Sequence, residues 1–250
     1  MYARYHEGKH YPLRGDLFGA YTFGEALDES VARRVIGPVE PPNIIAIGLN
    51  YRQHAHESNM KIPERPVLFL KATTSVAGPE DPIVLPAAAP HEVDYEAELA
   101  VIIGKTAKHV SEEDALNYVL GYTVGNDVSA RDCQLRIDSQ WARGKSFDTF
   151  CPLGPWIETE IDADSLAIKA RLNGQIVQDS CTSDMIFNVR QLVSFCSRNM
   201  TLLPGTVILT GTPQGVGFAR KPPLFLRAGD IIEVEVEGIG VLRNTVDVET

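Results

Sequence analysis

The chain has 250 residues, 44% hydrophobic and 22% charged, enough for one large domain or a domain with a small appendage. Its 33 acidic residues outnumber 23 basic ones, and the formal net charge of −10 argues against a nucleic-acid or anionic-membrane partner. The cysteines, Cys133, Cys151, Cys181 and Cys196, lack zinc-like spacing and read as free thiols of a reducing compartment. With no signal-peptide core and no membrane-length apolar run, a cytoplasmic location is expected.

Residues 1 to about 37 alternate short tyrosine-rich pieces with Gly and Pro breaks. They read as a few strands and turns, with a short helix around Phe23–Val35. Gly37-Pro38 and Pro41-Pro42 form an extended break, which divides the chain into a small β-rich N-terminal segment, 1–42, and a main domain, 43–250. In the main domain short β-rich runs follow one another: Ile44–Gly48, Val67–Leu70, Glu98–Ile103, Leu166–Leu172, Thr206–Thr210 and Ile231–Val236. Two stretches have helical character, Ser111–Val119, where Ser111 and Asp114 resemble a capping box, and Ser183–Ser197. Asn173-Gly174 is a two-residue hairpin signal. Helices are too few for a regular βαβ succession, so the expected class is α+β with a mixed sheet.

The run His91-Glu-Val-Asp-Tyr-Glu-Ala-Glu98 is the clearest anomaly. As a strand it places Glu92, Asp94, Glu96 and Glu98 on one face, with the apolar run Leu99–Ile103 next in sequence. A solvated acidic face explains Glu92 and Asp94 but explains Glu98 poorly, since carboxylates beside a core need a cation. Mg²⁺, a hard ion that binds a few carboxylates and leaves positions for water and substrate oxygens, meets that need. Asp127 follows another apolar stretch. Arg131 and Asp132 just beyond it read as an ion pair that scaffolds the loop.

His54 and Glu57 are three residues apart, and a short helix brings them to one face, where the carboxylate can orient the imidazole as a general base. His56 is the competing histidine. The mostly polar 58–64 stretch reads as a lid. Leu209-Thr-Gly-Thr-Pro-Gln-Gly-Val-Gly217 is either a loop that offers backbone N–H groups to an anion or a plain turn.

In this order, the segments IIAIGLNYRQHAHE, PVLFLKATTSVAGP, VDYEAELAVIIG, GYTVGNDVSARD, RGKSFDTFCPLGPW, RLNGQIVQ, TSDMIF and LPGTVILTGTPQGVG resemble the fumarylacetoacetate hydrolase family over essentially all of residues 43–250. The resemblance implies a rolled, incomplete-barrel mixed sheet, a homodimer and a Mg²⁺ (or Mn²⁺) cofactor. It assigns metal binding to Glu96, Glu98 and Asp127, leaving Glu92 and Asp94 as flank. It assigns catalysis to His54, Glu57 and Lys145, with His54 and Glu57 on a lid, and substrate contact to Lys71, Gln134 and Thr212. The implied activity is metal-dependent cleavage of a C–C bond in a small 2-oxo acid such as an acylpyruvate. The alternative is isomerase or decarboxylase action on 2-hydroxyhepta-2,4-diene-1,7-dioate-type substrates of aromatic catabolism, or tautomerisation or decarboxylation of oxaloacetate. Arg52, Arg65 and Arg143 are candidates for a substrate's second carboxylate.

Overall fold

A computed structural model describes residues 1–27 and 35–249. Strands β1 (Ala3–His6), β2 (Lys9–Gly15) and β3 (Tyr21–Phe23) make a small antiparallel sheet. The helix expected around Phe23–Val35 lies mostly outside the described residues, and Phe23 itself closes β3. The segment is tied to the rest by Phe18, which packs against the core near Ile44 and Val207.

The remaining strands are β4 (Ile44–Gly48), β5 (Val67–Lys71), β6 (Val76–Ala77), β7 (Ile83–Leu85), β8 (Val93–Asp94), β9 (Ala97–Ile103), β10 (Val119–Asn126), β11 (Ser129–Ala130), β12 (Cys151–Glu158), β13 (Ala167–Leu172), β14 (Gln175–Cys181), β15 (Val207–Leu209), β16 (Ile231–Val236) and β17 (Gly240–Val248). Among the described residues three short α-helices accompany them: α1 (Arg52–Glu57), α2 (Ala142–Lys145) and α3 (Val189–Asn199). A curled seven-stranded sheet has the order β5-β4-β15-β9-β10-β12-β6, and a five-stranded sheet the order β14-β13-β16-β17-β7. Parallel pairs (β15 with β4, β12 with β6, β17 with β7) are interleaved with antiparallel ones, so the sheet-rich α+β expectation holds.

Strand β9 is central to the larger sheet, and its composition follows from that position. Leu99, Val101 and Ile103 pack on one side with Ile45, Val124 and residues of the five-stranded sheet such as Ile168 and Val234. Ala100 and Ile102 pack on the other with Ile44, Leu153, Val207 and Leu209. A strand buried on both faces needs a continuous apolar run rather than alternation. Each fully buried aliphatic chain contributes about 1.5–3 kcal/mol, so this strand is among the most firmly held elements.

Turn chemistry is obeyed where the sequence is explicit. Asn173 and Gly174 have φ of 52° and 78°, the left-handed pair of a tight hairpin, and join β13 to β14. The helix expected over Ser111–Val119 shrinks to a turn and a 3₁₀ segment, Ala115–Tyr118, because Val119 already enters β10. Ser111 does cap: its Oγ accepts from the Asp114 N–H at 3.1 Å and donates to Asp114 Oδ2 at 2.8 Å. The helix expected over Ser183–Ser197 starts later, at Val189, because Asn188 and Gln191 form a reciprocal capping box there. All four cysteines are free, with Cys133, Cys151 and Cys196 buried. No described helix is long and apolar enough to cross a membrane.

Candidate active site

Pairing between β9 and β10 sets Glu98 opposite Gly125 and Ala97 opposite Asn126. Just before β9 the chain leaves regular strand geometry at Tyr95 and Glu96. There Asn126 Oδ1 accepts from the Glu96 N–H at 3.0 Å, and the Asp127 N–H donates to the Glu96 carbonyl at 2.9 Å. The result is convergence: one carboxylate oxygen each from Glu96, Glu98 and Asp127 lies within 4.8 Å of the others, and all three residues are buried. Among the described residues this is the only such group.

The expected single face of four acids is not formed, because β8 and β9 are separate strands. Glu92 is half-buried at the rim and pairs with Arg136 at 2.7 Å. Asp94 is no flank. It is fully buried, and its carboxylate accepts from the N–H groups of Gly217 at 2.8 Å and Phe218 at 3.0 Å and from Arg131 Nε at 2.9 Å. The expected Arg131–Asp132 pair is likewise replaced. Arg131 is buried, lies 2.7 Å from Glu96 Oε1, donates to Gln134 Oε1 at 2.8 Å and stacks on Phe218 at 4.4 Å. Asp132 accepts from the neighbouring Cys133 N–H instead.

Cations surround the triad unevenly. Lys145 Nζ donates to Glu96 at 2.8 Å and Asp127 at 2.7 Å, and Lys71 Nζ donates to Asp127 at 2.5 Å. Burial alone raises the Glu96 carboxyl, but Lys145 and Arg131 outweigh it and hold that group near 2. Burial lowers Lys145, yet Asp127 and Glu96 outweigh that and raise it, so it stays an ammonium. Glu98 is different. Burial, followed by the charges of Asp127 and Glu96, pushes its carboxyl well above the usual range. Its hydrogen-bond donor is the Gly211 N–H at 2.7 Å, and among the described residues no side-chain cation forms an ion pair with it. Four buried carboxylates, Asp94 included, thus face three buried cations, and the all-oxygen set around Glu98 fits a hard divalent ion such as Mg²⁺ or Mn²⁺.

Helix α1 supplies the second group. His54 is buried, and its Nδ1 is 2.7 Å from Glu57 Oε1. Glu57 also accepts from the Gly215 N–H, at 2.9 Å to Oε2 and 3.1 Å to Oε1. His56 is exposed. The start of α1 is pinned by the 184–187 segment: Asp184 Oδ2 accepts from the Gln53 N–H, Arg52 donates to the Asp184 and Met185 carbonyls, and the Asn50 side chain brackets Phe187. Arg52 is therefore engaged with backbone, as Arg143 is with Asp138 at 2.6 Å on the surface.

The loop after β15 does present its N–H groups to anions, and those anions are the protein's own. Gly211 holds Glu98, Gly215 holds Glu57, and Gly217 with Phe218 holds Asp94. Thr212 Oγ1 donates to the Ala97 carbonyl at 3.0 Å and accepts from Gln178 Nε2 at 2.9 Å. The structure therefore gathers Lys71, Glu96, Glu98, Asp127, Gln134 and Lys145 through direct contacts with one another or through Arg131, and Thr212 hangs from the same β9 edge. His54 and Glu57 join them through the shared loop. Sequence reasoning missed Asp94, Arg131 as a link to Glu96, and Gln178. The i,i+3 spacing of Arg131 and Gln134 was the one local hint.

A fold that gathers buried carboxylates beside a His–Glu pair defines a class. The model of the fumarylacetoacetate (FAA) hydrolase C-terminal domain matches residues 43–247, and the chain belongs to that family of enzymes. It is 53% identical over 226 residues to the fumarylacetoacetate hydrolase domain-containing protein 2 homolog of Dictyostelium discoideum, covering 85% of this chain and 74% of the relative. It is 48% identical over 215 residues to the mitochondrial oxaloacetate tautomerase Fahd2a of Rattus norvegicus, covering 84% and 68%. Among solved structures, the 5-carboxymethyl-2-hydroxymuconate delta-isomerase of Mycobacterium smegmatis superposes with a TM-score of 0.87 at 44% identity, over 96% of this chain and 90% of that one.

Proposed function

We propose that this protein interconverts keto and enol forms of a small 2-oxo acid, an oxaloacetate-like dicarboxylate in the first instance. The observation that carries the reading is the 2.7 Å His54–Glu57 pair held by the same loop that backs Glu98. The identity to an oxaloacetate tautomerase supports placing this activity ahead of C–C cleavage.

Glu96, Glu98 and Asp127 would hold Mg²⁺ or Mn²⁺, which when bound supplies Lewis-acid stabilisation of negative charge on oxygen. With Glu57 as the acceptor of the Nδ1–H of His54, Nε2 is left with the lone pair. Nε2 then removes a proton from substrate C3. The C–H electrons form the C2–C3 double bond, and the carbonyl electrons move to the 2-oxygen. Lys145, an ammonium already lodged between Glu96 and Asp127, is the side chain that faces this charge. The imidazolium so formed gives up its proton, which reaches the 2-oxygen directly or through water to complete the enol, and the reverse order regenerates the ketone. Hydrolytic C–C cleavage of an acylpyruvate is the second reading, favoured by the same pair, because an imidazole oriented by a carboxylate also activates water. The reading includes a homodimer, checked by sedimentation velocity, acting in the cytoplasm.

NMR in D₂O tests the proposal with oxaloacetate, an acylpyruvate and a 2-hydroxy-diene-dioate in separate samples with Mg²⁺, each with an EDTA control and an enzyme-free control. The expected result is accelerated keto–enol exchange and deuterium at C3 of oxaloacetate, lost with EDTA. Pyruvate plus a free acid from the acylpyruvate would move the enzyme to the hydrolase side, and no acceleration of any of the three would end the reading. Lys145→Met is expected to lower kcat by about 100- to 1,000-fold. Cation affinity, measured by calorimetry, should not fall, because the variant removes an ammonium that competes for the same carboxylates.

A further inference from the structure

The loop after β15 carries contacts that none of these roles uses. Arg220 donates from Nε to the Gly215 carbonyl at 3.1 Å and from Nη2 to the Val177 carbonyl of β14. The Tyr95 hydroxyl donates to the same Gly215 carbonyl at 3.2 Å. Both donors are partly or wholly buried, they touch each other, and both reach the Gly215 carbonyl rather than a carboxylate. On the other side of the same residue, the Gly215 N–H is the group that holds both oxygens of Glu57.

Gly215 has φ of +100°, and a Cβ there would meet the Val177 carbonyl at 2.2 Å, so no other residue fits. A glycine in such a conformation has no side chain to restrain it, and its orientation must be set from outside. The two donors on its carbonyl do this. The rigid fork of a guanidinium spans Gly215 and Val177 together and ties the loop to β14 in a fixed geometry, which the flexible stem of a lysine does not pre-set.

We propose that Arg220 and Tyr95 are positioning residues for Glu57, fixing Gly215 by its carbonyl so that its N–H keeps the Glu57 carboxylate on His54. This rests on reading His54 and Glu57 as the proton-transferring pair. Neither residue touches substrate in this scheme, so their loss changes the rate of proton transfer and leaves cation binding alone.

The test compares Arg220→Gln, Arg220→Lys and Tyr95→Phe, and combines Arg220→Gln with Glu57→Gln. Arg220→Gln is expected to lower kcat by about 10- to 100-fold with KM and Mg²⁺ affinity unchanged. Arg220→Lys should recover part of the loss. In the Glu57→Gln background Arg220→Gln should add no further loss, because the two act as one unit. Hydrogen exchange read by NMR gives a measure independent of turnover. The Gly215 amide should exchange about five- to tenfold faster in Arg220→Gln, the factor of one net hydrogen bond, while the Gly211 amide on Glu98 keeps its rate. Tyr95→Phe keeps the buried ring and repeats the measurement with one donor removed, should Arg220→Gln fail to fold.

Equal losses in both Glu57 backgrounds, or an unchanged Gly215 exchange rate, would overturn the proposal. So would a raised KM for dicarboxylates alone with kcat intact, which would make Arg220 a substrate contact. If the wild-type protein turns over none of the three substrates, the functional reading fails, and Gly215 exchange still decides the positioning claim.

Discussion

Glu98→Gln is expected to abolish Mg²⁺ binding and turnover while leaving the fold intact. Glutamine keeps the shape, and its oxygen can still accept from the Gly211 N–H, so no cavity results and the Gly211 donor keeps its partner, while the new amide N–H groups have the Glu96 and Asp127 carboxylates nearby. What disappears is the one carboxylate of the triad with no side-chain cation against it, which is the charge a divalent ion must satisfy. Calorimetry should show an affinity loss above about 100-fold, more than an outer-shell change produces. The stability effect has the opposite sign. Burial and the neighbouring acids raise the Glu98 carboxyl in the folded chain, so the native state binds its proton more tightly than the unfolded one. Stability of the EDTA-treated wild type therefore declines as pH rises above about 4.3, the unfolded value, until the raised folded value is passed. The Gln variant lacks that decline and should unfold at higher denaturant concentration at neutral pH. Full Mg²⁺-dependent activity in Glu98→Gln would remove the metal assignment.

His54→Ala is expected to produce the complementary phenotype. Turnover should fall by about 100- to 10,000-fold, the range for a positioned general base, with Mg²⁺ affinity unchanged. Glu57 remains held by Gly215 in this variant, so the loss reports the imidazole and not a collapsed site. His56→Ala is the control, since that ring is exposed. If His54→Ala keeps its turnover and His56→Ala loses it, the roles of the two histidines are reversed.

How much of this could be read in advance depended on the range of the forces involved. Strands β4 and β16 lie within the bounds read from the sequence, and the Asn173-Gly174 hairpin forms as read, because alternation, apolar runs and left-handed turn residues act within a few positions. The helix at Ser111–Val119 failed because its few residues are outcompeted by the pairing of β10 with β9, a contact made elsewhere in the chain. Asp94 shows the same limit at the site. An acid in a strand reads alike whether solvated or buried, and what decides it is Arg131, 37 residues on, with the N–H groups of Gly217 and Phe218 more than a hundred residues on. Residue chemistry alone left the acidic run open between a solvated face and a cation site. The family pattern, and not local spacing, picked out Glu96, Glu98 and Asp127, which the structure brings within 4.8 Å.

The two halves of the site rest on supports of unequal strength. Glu98 is the second residue of a strand buried on both faces, whereas His54 and Glu57 ride a six-residue helix joined to the remainder largely by hydrogen bonds to loops. Short helices of this kind open locally at far lower free energy than a central strand. Under mild denaturation or heating, the proposed roles predict that the molecule passes first through a form that still binds Mg²⁺ but has lost the His54–Glu57 pair. Binding measurements on aged or partly damaged preparations would report a full complement of sites while activity measurements report a fraction, and the ratio of the two becomes a gauge of how much of the population has lost α1.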